Sequence, residues 1–245
     1  MAKPRLILLI RHGESESNCD KSVNTHTPNH KVALTPRGHQ QAFEAGVKLR
    51  DIVKNNERVC FYTSPYKRTR QTLEGVIKGW GETDTSKFVI REEVRLREQD
   101  FGNFQGDGPQ QAAMLKERGE YGHFFYRIPH GESAADVHDR CSSFNESLFR
   151  QFAKPQFPSV VVLVTHGIWS RVFLQRWFRW SVECFESLCN IPHCSWIIVE
   201  QEEEREDHHT HGAGTYTLRT PLQRWGGRPP ITDCRDPECY SWINV

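Results

Sequence analysis

"PRLILLIRHGESESN", residues 4–18, sets an unbroken aliphatic run against an abrupt polar stop. The run does not alternate, so residues 4–10 read as a strand buried on both faces, the pattern of a parallel sheet. "SVVVLVTHG" (159–167) repeats the design, a β-branched run followed by His-Gly. "RVCFYTS" (58–64) and "KFVI" (87–90) supply two more strands, "CSWIIVEQ" (194–201) another, and "TYTLR" (215–219) one near the end. Helical segments lie between them. "TPRGHQQAFEAGVKLRDIVKN" (35–55) opens on Thr35 as N-cap and Pro36 at the first helical position, with Ala42, Ala45, Val47, Leu49, Ile52 and Val53 as its apolar side. Residues 65–80, 108–120, 132–153 and 168–178 also read as helices. Strands alternating with helices predict an α/β fold, a three-layer sandwich with a largely parallel central sheet flanked by helices.

Bulk properties narrow the class of function. The 245 residues carry 32 Lys and Arg against 31 Asp and Glu, a net charge of +1. No global field draws nucleic acid or an anionic membrane, so neither is an expected partner and any anion site must be local. No apolar run is long enough to span a bilayer, and the first ten residues are too short and badly flanked for a secretory signal. The eight cysteines are scattered, which predicts reduced thiols and a cytoplasmic protein.

The polar residues at the strand ends carry the chemistry. In a parallel sheet the loops beyond the carboxyl ends of the strands gather on one edge, and ligands bind there. The first strand delivers Arg11 and His12 to that edge, and the second delivers "TSPYKRTRQT", with Arg68 in the first turn of a helix. The strand over 159–167 delivers Thr165 and His166, and "VRLREQDFGNFQG" (94–106) offers Glu98. Two arginines, two histidines and one carboxylate would then converge. Guanidinium forks match the equatorial oxygens of a transferring phosphoryl group and keep their charge.

The segments "LIRHGESESN", "TSPYKRTRQT", "LREQDFGNFQG", "PHGESAADVHDR" and "VTHG" together resemble the histidine phosphatase superfamily, the phosphoglycerate mutase-like proteins, over residues 5–200. The resemblance implies an α/β sandwich in which His12 takes up the phosphoryl group. It places the phosphate among Arg11, Arg68, His166 and Gly167, with Asn18 close by, and makes Glu98 the proton donor. No cofactor and no metal are expected, and the partner is a small phosphorylated substrate. His12 must attack as neutral imidazole, which the neighbouring arginines favour, and its second ring nitrogen should donate to a backbone carbonyl.

The resemblance covers mutases as well as phosphatases. The segment from Gly106 to Pro129 is short, lacks an Arg-Arg pair, and offers Tyr121, Phe124, Phe125 and Tyr126 as an aromatic wall. These features predict a phosphatase acting on phosphate monoesters through a phosphohistidine. A cofactor-dependent phosphoglycerate mutase and a non-catalytic module binding phosphorylated ligands are the alternatives. Arg70 reads as a surface residue. Glu132 and Ser133, beside His130, read either as substrate contacts or as a helix cap. Residues 1–205 form the expected catalytic domain, and 206–245 a C-terminal extension packed on it or following it. His208, His209 and His211 with Cys234 and Cys239 fit no standard zinc spacing, and Trp225, Tyr240 and Trp242 call for burial.

Overall fold

Leu6–Arg11 forms the central strand β1, and alternate side chains divide between two cores. Ile7 and Leu9 face one side, and Leu6, Leu8 and Ile10 the other. Each is at most 2% exposed, so both faces of the strand are covered by protein, which is why the sequence shows no alternation. The computed structural model describes residues 3–106, 108–202, 216–231 and 239.

Along the chain, β1 is followed by the short helices α1 (Glu16–Cys19) and α2 (Val23–His26), then α3 (Pro36–Ile52), β2 (Val59–Thr63), α4 (Lys67–Trp80) and β3 (Phe88–Glu92). The second half comprises α5 (Gly108–Tyr121), α6 (Ala134–Phe152), β4 (Val160–Thr165), α7 (Gly167–Phe178), α8 (Val182–Ser187), β5 (Trp196–Gln201) and β6 (Tyr216–Leu218). The strands form one sheet in the order β3-β2-β4-β1-β5-β6. The pairs among β3, β2, β4 and β1 are parallel, while β5 runs antiparallel to both its neighbours, β1 and β6. The expected three-layer α/β sandwich is therefore present, with a mostly parallel mixed sheet.

One layer is α3 and α4, packed against Leu8, Phe61 and Val162. Their backbones touch at glycines. A Cβ on Gly46 would lie 2.1 Å from the Val76 carbonyl oxygen, and one on Gly79 would lie 2.0 Å from that of Phe43. Val47, expected on the apolar side of α3, is 40% exposed, because the glycines replace it at the helix contact. The other layer holds α6, α7 and α8, where Trp169 and Phe173 stack with ring centroids 5.4 Å apart. Tyr216, Leu218, Leu222, Ile231 and Cys239 join that same core. Trp225 does not; it is 61% exposed, so its expected burial is not found. Tyr240, Trp242, His208, His209, His211 and Cys234 lie outside the described residues.

Sheet register sets the site. Arg11 pairs with Thr165, and Thr63 with Val164, so three parallel strands end level with one another. The next residue of each is His12, Ser64 and His166. The His12 amide donates to the Thr165 carbonyl at 3.0 Å, and the Ser64 amide to the Val164 carbonyl at 3.0 Å.

Candidate active site

His12 is 4% exposed at the end of β1. Its Nδ1 lies 2.7 Å from the Gly13 carbonyl oxygen. A carbonyl can only accept, so Nδ1 carries the proton and the Nε2 lone pair is left available. Burial, then Arg68 and Arg11, hold the imidazolium form of His12 well below the usual histidine range. The turn after His12 is built by close approach. A Cβ on Gly13 would sit 2.5 Å from the Gly38 carbonyl oxygen, and one on Gly38 would sit 2.1 Å from that of Glu14. The first turn of α3 thus presses directly on the loop, and only glycine fits at either point. The His193 Nδ1 donates to the His12 carbonyl at 2.9 Å.

Arg68 enters from the first turn of α4. Its Nη1 donates to the Asn29 carbonyl at 2.6 Å, and its Nη2 to Nδ1 of His166 at 3.3 Å. Arginine cannot accept, so Nδ1 of His166 is the acceptor and its proton sits on Nε2. That Nε2 donates to the Ser64 hydroxyl at 2.8 Å. The two histidine rings lie 5.2 Å apart, centroid to centroid. Burial lowers Arg68 to about 10, opposed by Glu98, and the guanidinium stays charged at neutral pH. Arg11 donates from Nη1 to the Ile191 carbonyl at 2.9 Å, while its buried Nε has no partner.

Glu98 reaches the same edge from the loop after β3. Its Oε1 accepts from the amides of Gln99 at 3.1 Å and Trp169 at 3.3 Å, and its Oε2 from that of Ile168 at 3.4 Å. The carboxylate therefore faces the N-terminal turn of α7, where backbone donors converge. Arg140 of α6 pins the loop by donating to the carbonyls of Arg95, Arg97 and Glu98.

All five central residues expected from the sequence, Arg11, His12, Arg68, Glu98 and His166, meet at this edge. Gly167 begins α7, where a Cβ would approach Asn190 Oδ1 to 2.9 Å and Arg11 Nε to 3.6 Å. Asn18 gives its amide oxygen to the Ser15 amide and hydroxyl, closing the first turn of α1. Arg70 is on the surface, paired with Glu92 at 2.6 Å. Ser133 is the N-cap of α6, accepting from the Asp136 amide at 3.2 Å. Glu132 is occupied by Arg97 and Arg140 at 2.5 and 3.0 Å. The aromatic wall is only partly there. Tyr121 and Phe125 are exposed, but Phe124 and Tyr126 are buried in the body of the protein.

Sequence reasoning missed Ser64, Arg118, Arg140, Arg171 and His193. Arg171 follows the N-cap His166 by five residues, about 140° around α7, so helical spacing gave no signal for it. The others come together only through tertiary packing.

The family model of the histidine phosphatase superfamily (branch 1) matches residues 7–213, which span every one of these positions. This chain belongs to that superfamily. Among its relatives, "Broad-range acid phosphatase DET1" of Saccharomyces cerevisiae is 38% identical over 95% of this chain and 92% of its own length. "Phosphoglycerate mutase-like protein AT74" of Arabidopsis thaliana is 50% identical over 93% of this chain and 73% of its own. A solved mycobacterial glucosyl-3-phosphoglycerate phosphatase shares the fold with a TM-score of 0.66 and 22% identity, covering 88% of this chain and 98% of that one. Among the described residues no helix is long and apolar enough to cross a membrane, and no group of three or more His, Cys, Asp or Glu is placed to hold a metal ion.

Proposed function

We propose that this histidine phosphatase hydrolyses phosphate monoesters of small molecules through a phosphohistidine on His12. One observation carries the reading: a buried, neutral imidazole has its Nδ1 proton tied to Gly13 and lies among guanidinium groups at the sheet edge. The Nε2 lone pair of His12 attacks phosphorus, and the ester P–O bond breaks. Glu98 hands its proton to the departing alkoxide. Water then attacks the phosphohistidine, Glu98 takes a proton back, and the P–N bond returns its electron pair to His12. Arg11 and Arg68 supply the positive charge that the spreading phosphoryl charge requires. His166 contributes Nε2–H by exchanging Ser64 for a phosphate oxygen, while Gly167 and the free NH2 of Asn18 border the pocket.

Hydrolysis is favoured over mutase action because Gly106–Pro129 brings no Arg-Arg pair. Cys19, Cys60, Cys141, Cys189 and Cys194 are free thiols, which supports a reducing compartment such as the cytoplasm. The test is p-nitrophenyl phosphate hydrolysis in the presence of a chelator, together with 3-phosphoglycerate plus 2,3-bisphosphoglycerate. Phosphate release and an acid-labile, alkali-stable phosphoenzyme are expected. Glu98→Gln should slow esters with poor leaving groups far more than p-nitrophenyl phosphate. Efficient interconversion of 3- and 2-phosphoglycerate with only trace phosphate release would make the protein a mutase, and phosphate binding without turnover a binding module.

A further inference from the structure

The stretch "PHGESAADVHDR" (129–140) has no task in the chemistry above, yet two of its residues grip the loop that carries Glu98. Residues 97–100 belong to neither helix nor strand, so their backbone groups must find partners elsewhere. Arg140 of α6 supplies several of them. Its Nη1 donates to the carbonyls of Arg95 at 2.6 Å and Arg97 at 2.8 Å, and its Nη2 to that of Glu98 at 3.1 Å. The same Nη2 donates to Glu132 Oε2 at 3.0 Å, and Nε to Glu132 Oε1 at 3.1 Å. These bonds use every N–H that a guanidinium offers.

Glu132 takes the other side of the loop. Its Oε2 accepts from the Asp100 amide at 3.1 Å, and its Oε1 from Arg97 Nη2 at 2.5 Å. Its backbone amide donates to the Asp100 carbonyl at 2.9 Å, and its carbonyl accepts from Gln99 Nε2 at 2.6 Å. Glu98 is therefore clamped through its own carbonyl and through the residues on either side of it. The side chains of Arg140 and Glu132 are only 9% and 15% exposed, so water competes little for these charge-assisted bonds. The Glu98 carboxylate itself is held less firmly. Its bonds to the amides of Trp169 and Ile168, at 3.3 and 3.4 Å, are long, so its place depends on the backbone beneath it.

We propose that Glu132 and Arg140 are positioning residues for the acid Glu98, so that protonation of a poor leaving group depends on their ion pair. The role rests on the phosphatase reading and concerns its proton-transfer step. A shift of about 1 Å in a reacting group can cost a rate about 10²-fold, and here the loop backbone is what sets that distance. Lysine at 140 keeps the charge but carries three N–H groups on one nitrogen, too few to hold three carbonyls and two carboxylate oxygens together. Glutamine at 132 keeps the shape but loses the charge that answers Arg97 and Arg140.

The test measures kcat/KM, which reports phosphoryl transfer to His12, with glycerol 3-phosphate as the poor leaving group and p-nitrophenyl phosphate as the good one. Wild type, Arg140→Lys and Glu132→Gln are compared, with inhibition by inorganic phosphate reporting the phosphate pocket and circular dichroism the fold. Arg140→Lys should lower kcat/KM about 10²-fold for glycerol 3-phosphate but less than about fivefold for p-nitrophenyl phosphate, with phosphate inhibition within about twofold of wild type. Glu132→Gln should show the same pattern on a smaller scale. In a Glu98→Gln background, Arg140→Lys should cost glycerol 3-phosphate little more, because the acid it positions is already gone. Equal losses on the two esters, or losses that multiply in the double variant, overturn the positioning role and leave the phosphatase reading standing. Phosphate inhibition that weakens in step with the rate overturns it too, since Arg140 would then serve phosphate binding. If neither variant folds, the pair serves the fold rather than the acid, and the proposal fails. A wild type that turns over no ester removes the phosphatase reading and the positioning role with it.

Discussion

Arginines at the two ends of the same sheet are treated in opposite ways. At the amino end, Arg5 grips Glu57 through two hydrogen bonds of 2.7 and 2.6 Å. Nearby, Arg50 donates to the carbonyls of Trp80 and Gly79, both at 2.7 Å, and Lys87 pairs with Glu82 at 2.9 Å. A cleft of about 210 Å³ lies there, lined by Arg50, Glu57, Trp80 and Lys87 among others. At the carboxyl end, Arg11, Arg118 and Arg171 each keep a buried Nε without a partner. The difference fits charge used to close the structure at one end and, on the proposed function, charge left for a phosphoryl group at the other. Hollow space alone does not mark the site, because Arg50, Glu57, Glu82 and Lys87 in the amino-end cleft already have partners.

Removing the nucleophile tests that contrast most severely. His12→Ala should lower p-nitrophenyl phosphate turnover about 10⁴-fold or more and abolish the trapped phosphoenzyme. Wild-type rates in that variant would end the covalent mechanism. Next in size is Arg68→Ala, expected to cost about 10²–10³-fold in kcat through the loss of a transition-state donor. Arg68→Lys should recover little, since a point charge cannot replace a fork that also holds His166 and Asn29. Full activity in Arg68→Lys would show that fork geometry is not used.

The same contrast explains what could be read from sequence. The doubly buried strands were legible because runs such as "LILLI" and "VVVLV" report burial on both faces without any knowledge of partners. Their carboxyl ends were legible because polar residues interrupt such runs only for a reason, and Arg11, His12 and His166 stand at those interruptions. Boundaries shifted where local chemistry intervened. α4 starts at Lys67 rather than residue 65 because Tyr66 takes the extended N-cap conformation after Pro65. Arg118 and Gln99 could not be paired in advance, since their hydrogen bond depends on how α5 folds back over the Glu98 loop. The aromatic run 124–126 misled for a related reason. Composition says nothing about which rings turn inward, and Phe124 is 6% exposed while Phe125 is 60%.

A smaller effect concerns stability. His12 and His166 are buried neutral, and burial, then Arg68, hold both well below the usual histidine range. The unfolded chain therefore takes up protons near pH ~6.5 that the folded chain refuses. Stability is fully present above that point and falls as the pH drops, down to the depressed folded-state values. Each histidine should remove about 1.4 kcal/mol between about pH 7.5 and pH 5.5, so the pair accounts for about 3 kcal/mol. Partly buried His123, His138 and His193, shifted the same way, add to the slope. Denaturant titrations across this range check the prediction. His166→Gln should flatten the slope by about one proton, and an unchanged slope would contradict neutral burial of that ring.

The smallest change expected is at the other end of the sheet, and it is the control for the comparison. Arg5→Ala leaves Glu57, which is 9% exposed, without its arginine. Glu57 keeps the Lys54 amide at 2.9 Å and the Ser159 hydroxyl at 3.2 Å, so the loss should be about 1–3 kcal/mol of folding stability. In the wild type, burial pushes the Glu57 carboxyl up, but Arg5 and the other donors hold it below the ordinary carboxylate range. Its contribution is thus present above the unfolded value and lost as the pH falls through the folded one. Removing Arg5 leaves burial opposed by fewer donors, so this acid-side loss should shrink. Glu57→Gln in the Arg5→Ala background should recover part of the stability, because no charge then remains buried. Turnover of p-nitrophenyl phosphate should stay within about twofold of wild type wherever the variant is folded, since Arg5 lies at the opposite end of β1 from His12. A large fall in kcat from Arg5→Ala would mean that the two ends of the sheet are coupled, and that a satisfied charge can serve the site after all.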